Sequence, residues 1–469
     1  MTADESAGPD GPVEIELKLG LTPEAMEELI ASPVLRERAQ STVHTTALHA
    51  VYYDTEDRRL RARKAALRVR GVDGRHVQTL KSARRGDVAY AQRGEWEVEL
   101  AGPEPAPSAF ADPEAHDLMG LLLPEQLRPV FETRVRRRTL VLGWTDADGS
   151  AARIEAAFDD GAVLANGKEL PVCELELELL HGDPVCLLVL ALTLRGLAPL
   201  RIEPLEKAAR GWLLATGEPP AAVKAADVHL DPGQTVDDAL HVILSAALRH
   251  WFDNEPAARD GRDPEGVHQL RVALRRLRSA FSLLAPALGE GPKERWGQEM
   301  RWLLGGLGPA RDLDVLLGEL LPPLESGRVD GPALQAFREV ALARRAEAQT
   351  ALCDILASQR YADLAFHFAA WVARHGWREG ADVDLRLGQR QSIVPFAAAV
   401  LERRHRKVIK RGRAFAGLAP AERHQVRIAL KKLRYGIEFF ADLFSEKAAA
   451  LRSRPAAFSG KRSAKNSIP

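Results

Sequence analysis

Val172-Cys173-Glu174-Leu175-Glu176-Leu177-Glu178-Leu179-Leu180 puts three carboxylates on one parity and leucines on the other. Period-two alternation marks a β-strand with two unlike faces. Val13-Glu14-Ile15-Glu16-Leu17-Lys18-Leu19 repeats the pattern, and Glu95, Glu97 and Glu99 share a face within Glu95–Leu100. Arg68 and Arg70 share a face in Ala66–Arg70, and Lys81 ends Val77–Lys81. In Ala152–Phe158, Arg153 and Glu155 fall opposite Ile154, Ala156 and Phe158, with Asp159 on their parity beyond. A solvated face explains any one such strand, but solvated faces mix Thr, Ser, Gln and Lys. Here some faces are purely acidic and one is purely Arg. Three glutamates side by side repel unless cations lie between them. Closing the sheet into a barrel turns these faces inward and makes a polar tunnel of both signs. Its carboxylates would hold Mg²⁺ or Mn²⁺ through oxygen, and its Arg and Lys would hold phosphate oxygens.

Outward from these strands, Asp159-Asp160-Gly161 and Asn166-Gly167 are turn signals, which predict an antiparallel meander over Ala152–Leu180. Helices are expected at Pro23–Ala31 after the cap Thr22, and at Pro184–Leu194 after Asp183. Glu218–Asp231, rich in Pro and Ala, has the composition of a linker. Beyond Thr235 the pattern is helical, and it contains a repeat. His268-Gln-Leu-Arg-Val-Ala-Leu-Arg-Arg-Leu-Arg278 recurs as His424-Gln-Val-Arg-Ile-Ala-Leu-Lys-Lys-Leu-Arg434. Each copy aligns one helical stripe: His268, Arg271, Arg275, Arg278 and His424, Arg427, Lys431, Arg434. Stacked like charges weaken an isolated helix by a few tenths of a kcal/mol per pair, roughly, so a doubled stripe points to an anionic partner. Arg403, Arg404, Lys407, Lys410 and Arg411 add to it from the preceding segment. No aromatic interleaves the stripes as a base-stacking platform would, which ranks nucleic acid below other polyanions. Arg452–Pro469 lacks apolar periodicity and is expected to be disordered.

The 469 residues predict two domains. The net charge of zero conceals 27 basic against 36 acidic residues through Lys224, and 38 against 29 beyond it. An acidic half suits metal ions and a basic half a polyanion. No apolar run approaches the roughly 20 residues of a membrane span. Cys173, Cys186 and Cys353 are too dispersed for a zinc site or a disulfide framework, which predicts a cytoplasmic protein. The phosphate loops of nucleotide-binding folds and the GxSxG elbow are absent.

Glu14-Ile-Glu16-Leu-Lys18 resembles the ExExK signature of the CYTH superfamily, the triphosphate tunnel metalloenzymes. Tyr52-Tyr53-Asp54-Thr55, Leu67-Arg-Val-Arg70, Thr79-Leu-Lys81, Arg93-Gly-Glu95-Trp-Glu97, Arg153-Ile-Glu155, Cys173–Glu178 and Lys207-Ala-Ala-Arg210-Gly211 follow in that family's order. The resemblance implies an eight-stranded antiparallel barrel whose tunnel binds triphosphate. Lys18, Arg68, Arg70, Lys81, Arg93, Arg134, Arg137, Arg153, Lys207 and Arg210 are then the expected phosphate ligands. Glu14, Glu16, Glu174, Glu176 and Glu178, with Glu155 and Asp159 behind them, are the expected metal ligands. Glu14, Glu16, Lys18 and Glu176 are the catalytic candidates. Phosphoryl transfer passes through a loose, in-line transition state and needs no protein nucleophile. Glu206 stands where the family often carries Ser or Asn, a change expected to touch only a small polar contact.

The repeat, together with Leu307-Gly-x-x-Arg311-Asp312-x-Asp314, resembles the CHAD domain, a conserved-histidine α-helical domain often fused to CYTH. The resemblance implies two four-helix units and polyphosphate binding by His268, Arg271, Arg275, Arg278, Arg403, Lys407, Lys410, His424, Arg427, Lys431 and Arg434. The second repeat lacks its own Leu-Gly-x-x-Arg-Asp helix, so a shortened, less stable second unit is expected.

The expected architecture is α+β in two domains: an antiparallel eight-stranded β-barrel with flanking helices over 12–217, and an all-α duplicated bundle over 235–451. A linker at 218–234 joins them and a disordered tail fills 452–469. The expected activity is metal-dependent hydrolysis of inorganic triphosphate, with polyphosphate as a partner and the cytoplasm, or polyphosphate granules within it, as the location. The alternatives are a non-catalytic polyphosphate-binding protein, adenylate cyclase or thiamine triphosphatase chemistry in the same tunnel, and nucleic-acid binding by the helices.

Overall fold

The computed structural model describes residues 13–82, 91–120, 122–146, 149–325 and 331–444. Nine strands lie in its N-terminal part: β1 Val13–Gly20, β2 His44–Thr55, β3 Ala66–Val72, β4 Arg75–Lys81, β5 Ala91–Leu100, β6 Leu127–Thr145, β7 Ala151–Ala165, β8 Lys168–Gly182 and β9 Arg201–Ile202. The sheet runs β5-β4-β3-β2-β6-β7-β8-β1, and β1 pairs back with β5. The eight strands therefore close into an antiparallel barrel without an exposed edge. Two-residue β9 extends the pairing of β1 at Leu19 and Gly20.

The barrel is turned inside out relative to a globular core. Its apolar parity points outward: Leu17, Leu19, Ile154, Phe158, Leu175 and Leu177 are fully buried beneath covering elements. Three helices of this part matter for the site: α1 Pro23–Ile30, α2 Val185–Arg195 and α3 Lys207–Thr216. Thr22 caps α1 through its hydroxyl, which accepts from the amide of Ala25 at 3.3 Å. Asp183 Oδ1 accepts from the amide of Val185 at 2.9 Å as α2 begins. α2 lies over β1, β6, β7 and β8, with Leu187, Leu188, Leu190, Ala191 and Leu194 fully buried. A helix apolar on all sides must be covered on all sides.

Three expectations are corrected. Strands β2 and β6 were not anticipated. Asp159-Asp160-Gly161 is no turn but lies inside β7, and only Asn166-Gly167 turns, with φ of 51° and 71°. Gly161 instead allows close approach: a Cβ there would lie 2.1 Å from the carbonyl oxygen of Arg134. Finally, the β7–β8 register shifts between Arg153 and Ile154, with Leu180 of β8 as the extra residue, so Arg153 keeps the parity of Glu155 but lies at the exposed end of β7, not in the lumen.

The remaining described chain is helical: α4 Val236–Asp260, α5 Pro264–Leu283, α6 Glu290–Gly306, α7 Gly308–Val315, α8 Gly331–Ala357, α9 Gln359–Ala373, α10 Ile393–Gly412 and α11 Pro420–Phe439, with shorter turns between. The two copies of the repeat fall on α5 and α11. The chain divides into two compact units. One comprises 1–224, 248–271 and 302–374, the other 225–247, 272–301 and 375–469. The proline-rich stretch before α4 has neither helix nor strand but is fastened: Val223 and Asn254 exchange hydrogen bonds of 2.9 Å. The expected tail at 452–469 lies outside the described residues.

Candidate functional site: the charged tunnel and the basic groove

Register brings unlike and like charges together across the barrel wall. Lys18 faces Glu176 and Glu16 faces Glu178 across β1 and β8. Asp159 faces Glu174 and Glu155 faces Glu178 across β7 and β8. Arg137 faces Asp159, Lys81 faces Glu95 and Glu14 faces Arg93. The lumen is a cavity of about 400 Å³ lined by Glu14, Lys18, Arg68, Arg70, Lys81, Arg93, Glu95, Glu97, Arg137, Glu155, Asp159, Glu176, Glu178, Glu206 and Lys207, with Ala50, Tyr52 and Thr133 on the less polar wall.

Most of these groups are paired. Lys18 Nζ lies 2.5 Å from Glu16 and 2.6 Å from Glu176. Lys207 Nζ lies 2.6 Å from Asp159 and 2.9 Å from Glu176, and also contacts Glu174. Arg137 forks onto Asp159 at 2.6 Å and Glu176 at 2.5 Å. Lys81 bridges Glu14 and Glu95, each at 2.8 Å. Arg210 pairs with Glu174 below the lumen. Burial disfavours the charge on Glu176, but Lys18, Lys207 and Arg137 outweigh it and hold this carboxyl well below its ordinary range. Against burial, Glu176, with Glu174 beside Lys18 and Asp159 beside Arg137, holds both cations firmly protonated.

One part of the lumen is not balanced. Glu155 and Glu178 face each other and make no ion pair among the described residues. Burial, reinforced by Glu14 and Glu155, pushes the Glu178 carboxyl up to about 7, and Lys81 only partly opposes the shift. Like carboxylates opposite one another destabilise a sheet. This donor set is all oxygen, which is what a hard divalent cation takes. A second acidic group, Asp159, Glu174 and Glu176, brings carboxylate oxygens within 4.8 Å of one another. It is already matched by Lys18, Lys207, Arg137 and Arg210, so Glu155 and Glu178 fit an added cation better on charge alone.

Three expected phosphate ligands are not in the lumen lining: Arg210, which pairs with Glu174 instead, Arg134 and Arg153. Arg134 is exposed on the outer face beside Glu132, because it is one residue-parity wrong relative to Arg137. Arg153 is exposed near the start of β7, outside the lumen lining. Arg93 is in the wall but its guanidinium is taken by three carboxylates: Glu14 at 2.9 Å, Glu206 at 2.5 Å, and Glu16. Glu206 is therefore no minor substitution, since it closes the last free edge of Arg93. Glu16 and Glu174 sit behind the lining, 2% and 0% exposed. Glu95 and Glu97 line the lumen although only their strand, not their role, was anticipated; their shared parity with Glu99 was the available signal.

In the helical region the repeat helices and α10 are rich in cations. On α11, His424, Arg427, Lys431 and Arg434 are exposed, as are Arg403, Lys407 and Lys410 on α10 and Arg278 on α5. His268, Arg271 and Arg275 are half-buried, and Arg271 donates to the carbonyl of Leu304 at 2.7 Å. Between α10 and α11 a small hollow of about 120 Å³ is lined by Arg404, Lys407, Arg411, Gln425, Ile428, Ala429 and Lys432. Lys432 was missed by the stripe rule because it falls one position from Lys431. Its ammonium donates to Ser282 Oγ at 3.2 Å, and Arg404 donates to the same hydroxyl at 3.1 Å. Burial, then Arg404, Lys407, Arg278 and Arg411, lower the affinity of Lys432 for its proton. Asp314 of the Leu307–Asp314 motif is structural: it accepts from Arg345 at 3.0 Å.

The CYTH domain family matches residues 13–212, and the CHAD domain family matches residues 242–458. An inorganic triphosphatase from Haemophilus influenzae is 30% identical over 211 residues, which cover 43% of this chain and 55% of that protein. The chain thus spans about half the length of this relative. The crystal structure of the CHAD domain from the plant Ricinus communis is similar at a TM-score of 0.43 and 31% identity, over 50% of this chain and 74% of that one. A Hippeastrum protein with a dominant triphosphatase activity is similar at a TM-score of 0.32 and 21% identity, over 44% of this chain and 96% of that one. No helix among the described residues is long and apolar enough to cross a membrane.

Proposed function

The chain being a CYTH domain joined to a CHAD domain, we propose that it hydrolyses inorganic triphosphate with a divalent metal in the barrel and binds polyphosphate with the basic helices. The observation that carries the first part is the lumen's composition: cations and carboxylates interleaved around one cavity, with Glu155 and Glu178 unmatched. A buried anion-binding cavity lined only by cations would be costly to fold, so carboxylates interleave. A triphosphate entering such a neutral lumen would leave it strongly negative. Substrate must therefore bring cations with it, which supports metal dependence over metal-free binding.

In this reading Lys18, Arg68, Arg70, Lys81, Arg137 and Lys207 turn from carboxylates to phosphate oxygens and hold the chain of phosphates in line. Glu14, Glu155 and Glu178, with Glu16, Asp159, Glu174 and Glu176 nearby, would hold Mg²⁺ or Mn²⁺, which when bound neutralises phosphate charge and acidifies a water. Arg93 keeps Glu14, Glu16 and Glu206 apart instead of gripping phosphate. The cations of α10 and α11 support the polyphosphate part, because Lys431 and Lys432 are crowded by neighbouring Arg and Lys side chains.

Phosphate release from inorganic triphosphate, ATP and thiamine triphosphate, with Mg²⁺ or Mn²⁺ and with EDTA, tests the proposal. Expected is metal-dependent release from inorganic triphosphate that falls at least about 100-fold in Glu16→Gln. Preference for an organic triphosphate would move the activity elsewhere in the superfamily. No release at all, with polyphosphate still bound, would leave a binding protein.

A further inference from the structure

Arg195, the last residue of α2, has a side chain only 7% exposed and satisfied on every edge. Its Nε donates to Asp363 Oδ1 at 2.8 Å, and its Nη2 donates to the side-chain oxygen of Gln359 at 2.8 Å and to that residue's carbonyl at 3.0 Å. The guanidinium lies 5.6 Å over the ring of Phe366. These three partners belong to α9 of the helical region. The remaining nitrogen, Nη1, donates at 2.6 Å to the carbonyl of Leu200, which belongs to the barrel part. All of these residues lie in one compact unit.

Leu200 opens the segment that leads into α3, which carries Lys207 to the tunnel wall. Arg201 and Ile202 pair with Gly20 and Leu19, and the amide of Glu203 donates to the carbonyl of Lys18 at 2.9 Å. Glu206 precedes α3, whose first turn carries Lys207 and Arg210. Their ion pairs with Asp159, Glu174 and Glu176 now help to seat α3. When Lys207 turns to a phosphate, that seating weakens, and the start of α3 is then held by β9 and by the Arg195–Leu200 contact.

We infer that Arg195 is a positioning residue through which α9 fixes the start of α3 and so sets the tunnel's affinity for its anionic substrate. The inference rests on the triphosphate reading above. It makes the helical region part of the tunnel's working geometry as well as a site of its own.

The test uses the full chain, inorganic triphosphate and Mn²⁺, at a temperature where circular dichroism shows every variant native. Arg195→Ala is expected to raise KM about fivefold with kcat within about twofold. Lys207→Ala should raise KM too, and the double variant should be no worse than Lys207→Ala alone, because both act through one contact. An unchanged KM in Arg195→Ala, or effects that multiply in the double variant, overturns the inference and leaves Arg195 a packing residue. Should Arg195→Ala not fold, Gln359→Ala combined with Asp363→Asn removes only the side-chain acceptors on α9 and bears the same comparison. If wild type binds triphosphate without releasing phosphate, the hydrolysis reading fails, and the calorimetric Kd replaces KM in the same test. If wild type binds no triphosphate, both fail.

Discussion

The tunnel and the α10–α11 groove both gather cations, but under opposite rules. In the tunnel Lys18, Lys81, Arg93, Arg137 and Lys207 each touch at least two carboxylates and are mostly buried. In the groove Arg404, Lys407, Arg411 and Lys432 make no ion pair among the described residues, and solvent reaches them. The difference follows from desolvation. A charge taken out of water must be matched nearby, whereas a charge left in water tolerates like neighbours because the medium screens them. A matched, buried site is stiff and selective. An unmatched, wet one is tolerant of length and sequence in its polyanion.

The largest expected effect breaks the comparison if it fails. Lys18→Ala leaves Glu16 and Glu176 buried with one partner fewer, a type of loss that costs about 3–5 kcal/mol. Lys432→Ala removes one cation from a like-charged crowd and should be neutral or stabilising by a few tenths of a kcal/mol, roughly. Urea unfolding of the two variants against wild type measures both. Comparable losses would mean that the groove's cations are matched after all.

Salt separates the regions next. Polyphosphate binding by the exposed α10 and α11 cations should fall steeply between about 0.05 M and about 0.5 M NaCl, as the screening length shortens from roughly 14 Å to about 4 Å. Triphosphate binding in the enclosed lumen should fall far less. Titration calorimetry with each ligand at both salt concentrations checks this, and equal slopes would sink the distinction.

What the sequence made legible follows the same division between faces. Strands in which charges alternate with apolar residues, β1, β5 and β8, announce both the strand and the tunnel, because parity and chemistry coincide. β6 hides itself. Arg134, Arg136, Arg137 and Arg138 charge both faces: Arg136 and Arg138 pair outside with Asp160 and Glu27, and only Arg137 turns inward. β2 hides for the opposite reason, since its inward Ala50 and Tyr52 carry no charge. Asp54, part of a recognised motif, proves to be a turn organiser that accepts from the amides of Leu60 and Arg61, each at 2.9 Å. Arg153 shares the parity of Glu155 as its alternation indicates, but it lies at the exposed end of β7, and parity alone does not tell where along a strand the lumen ends. The closure of Arg93 by Glu206 joins residues 113 positions apart, and no local pattern encodes it.

The smallest effect asks whether matching, and not the barrel, is what makes a buried charge stable. The helical region has its own matched carboxylate. Asp237 is 6% exposed and accepts from Trp377 Nε1 at 2.7 Å and Arg378 Nε at 3.0 Å, with His375 Nδ1 2.9 Å away. Burial alone would raise its pKa, but the contacts with His375, Arg378 and Trp377 prevail and hold it well below the ordinary carboxylate range. The folded value is thus depressed, so its contribution to stability is complete above the unfolded value of about 3.9 and is lost as pH falls below it. Arg378 is 57% exposed, and solvent screens its share. Asp237 is expected to contribute on the order of 1–2 kcal/mol to the stability the wild type loses between about pH 4 and pH 2. Asp237→Asn should start less stable at neutral pH and lose correspondingly less in acid. If its acid profile instead parallels that of wild type, Asp237 is not the matched charge described here, and the contrast between buried and wet cations rests on the tunnel alone.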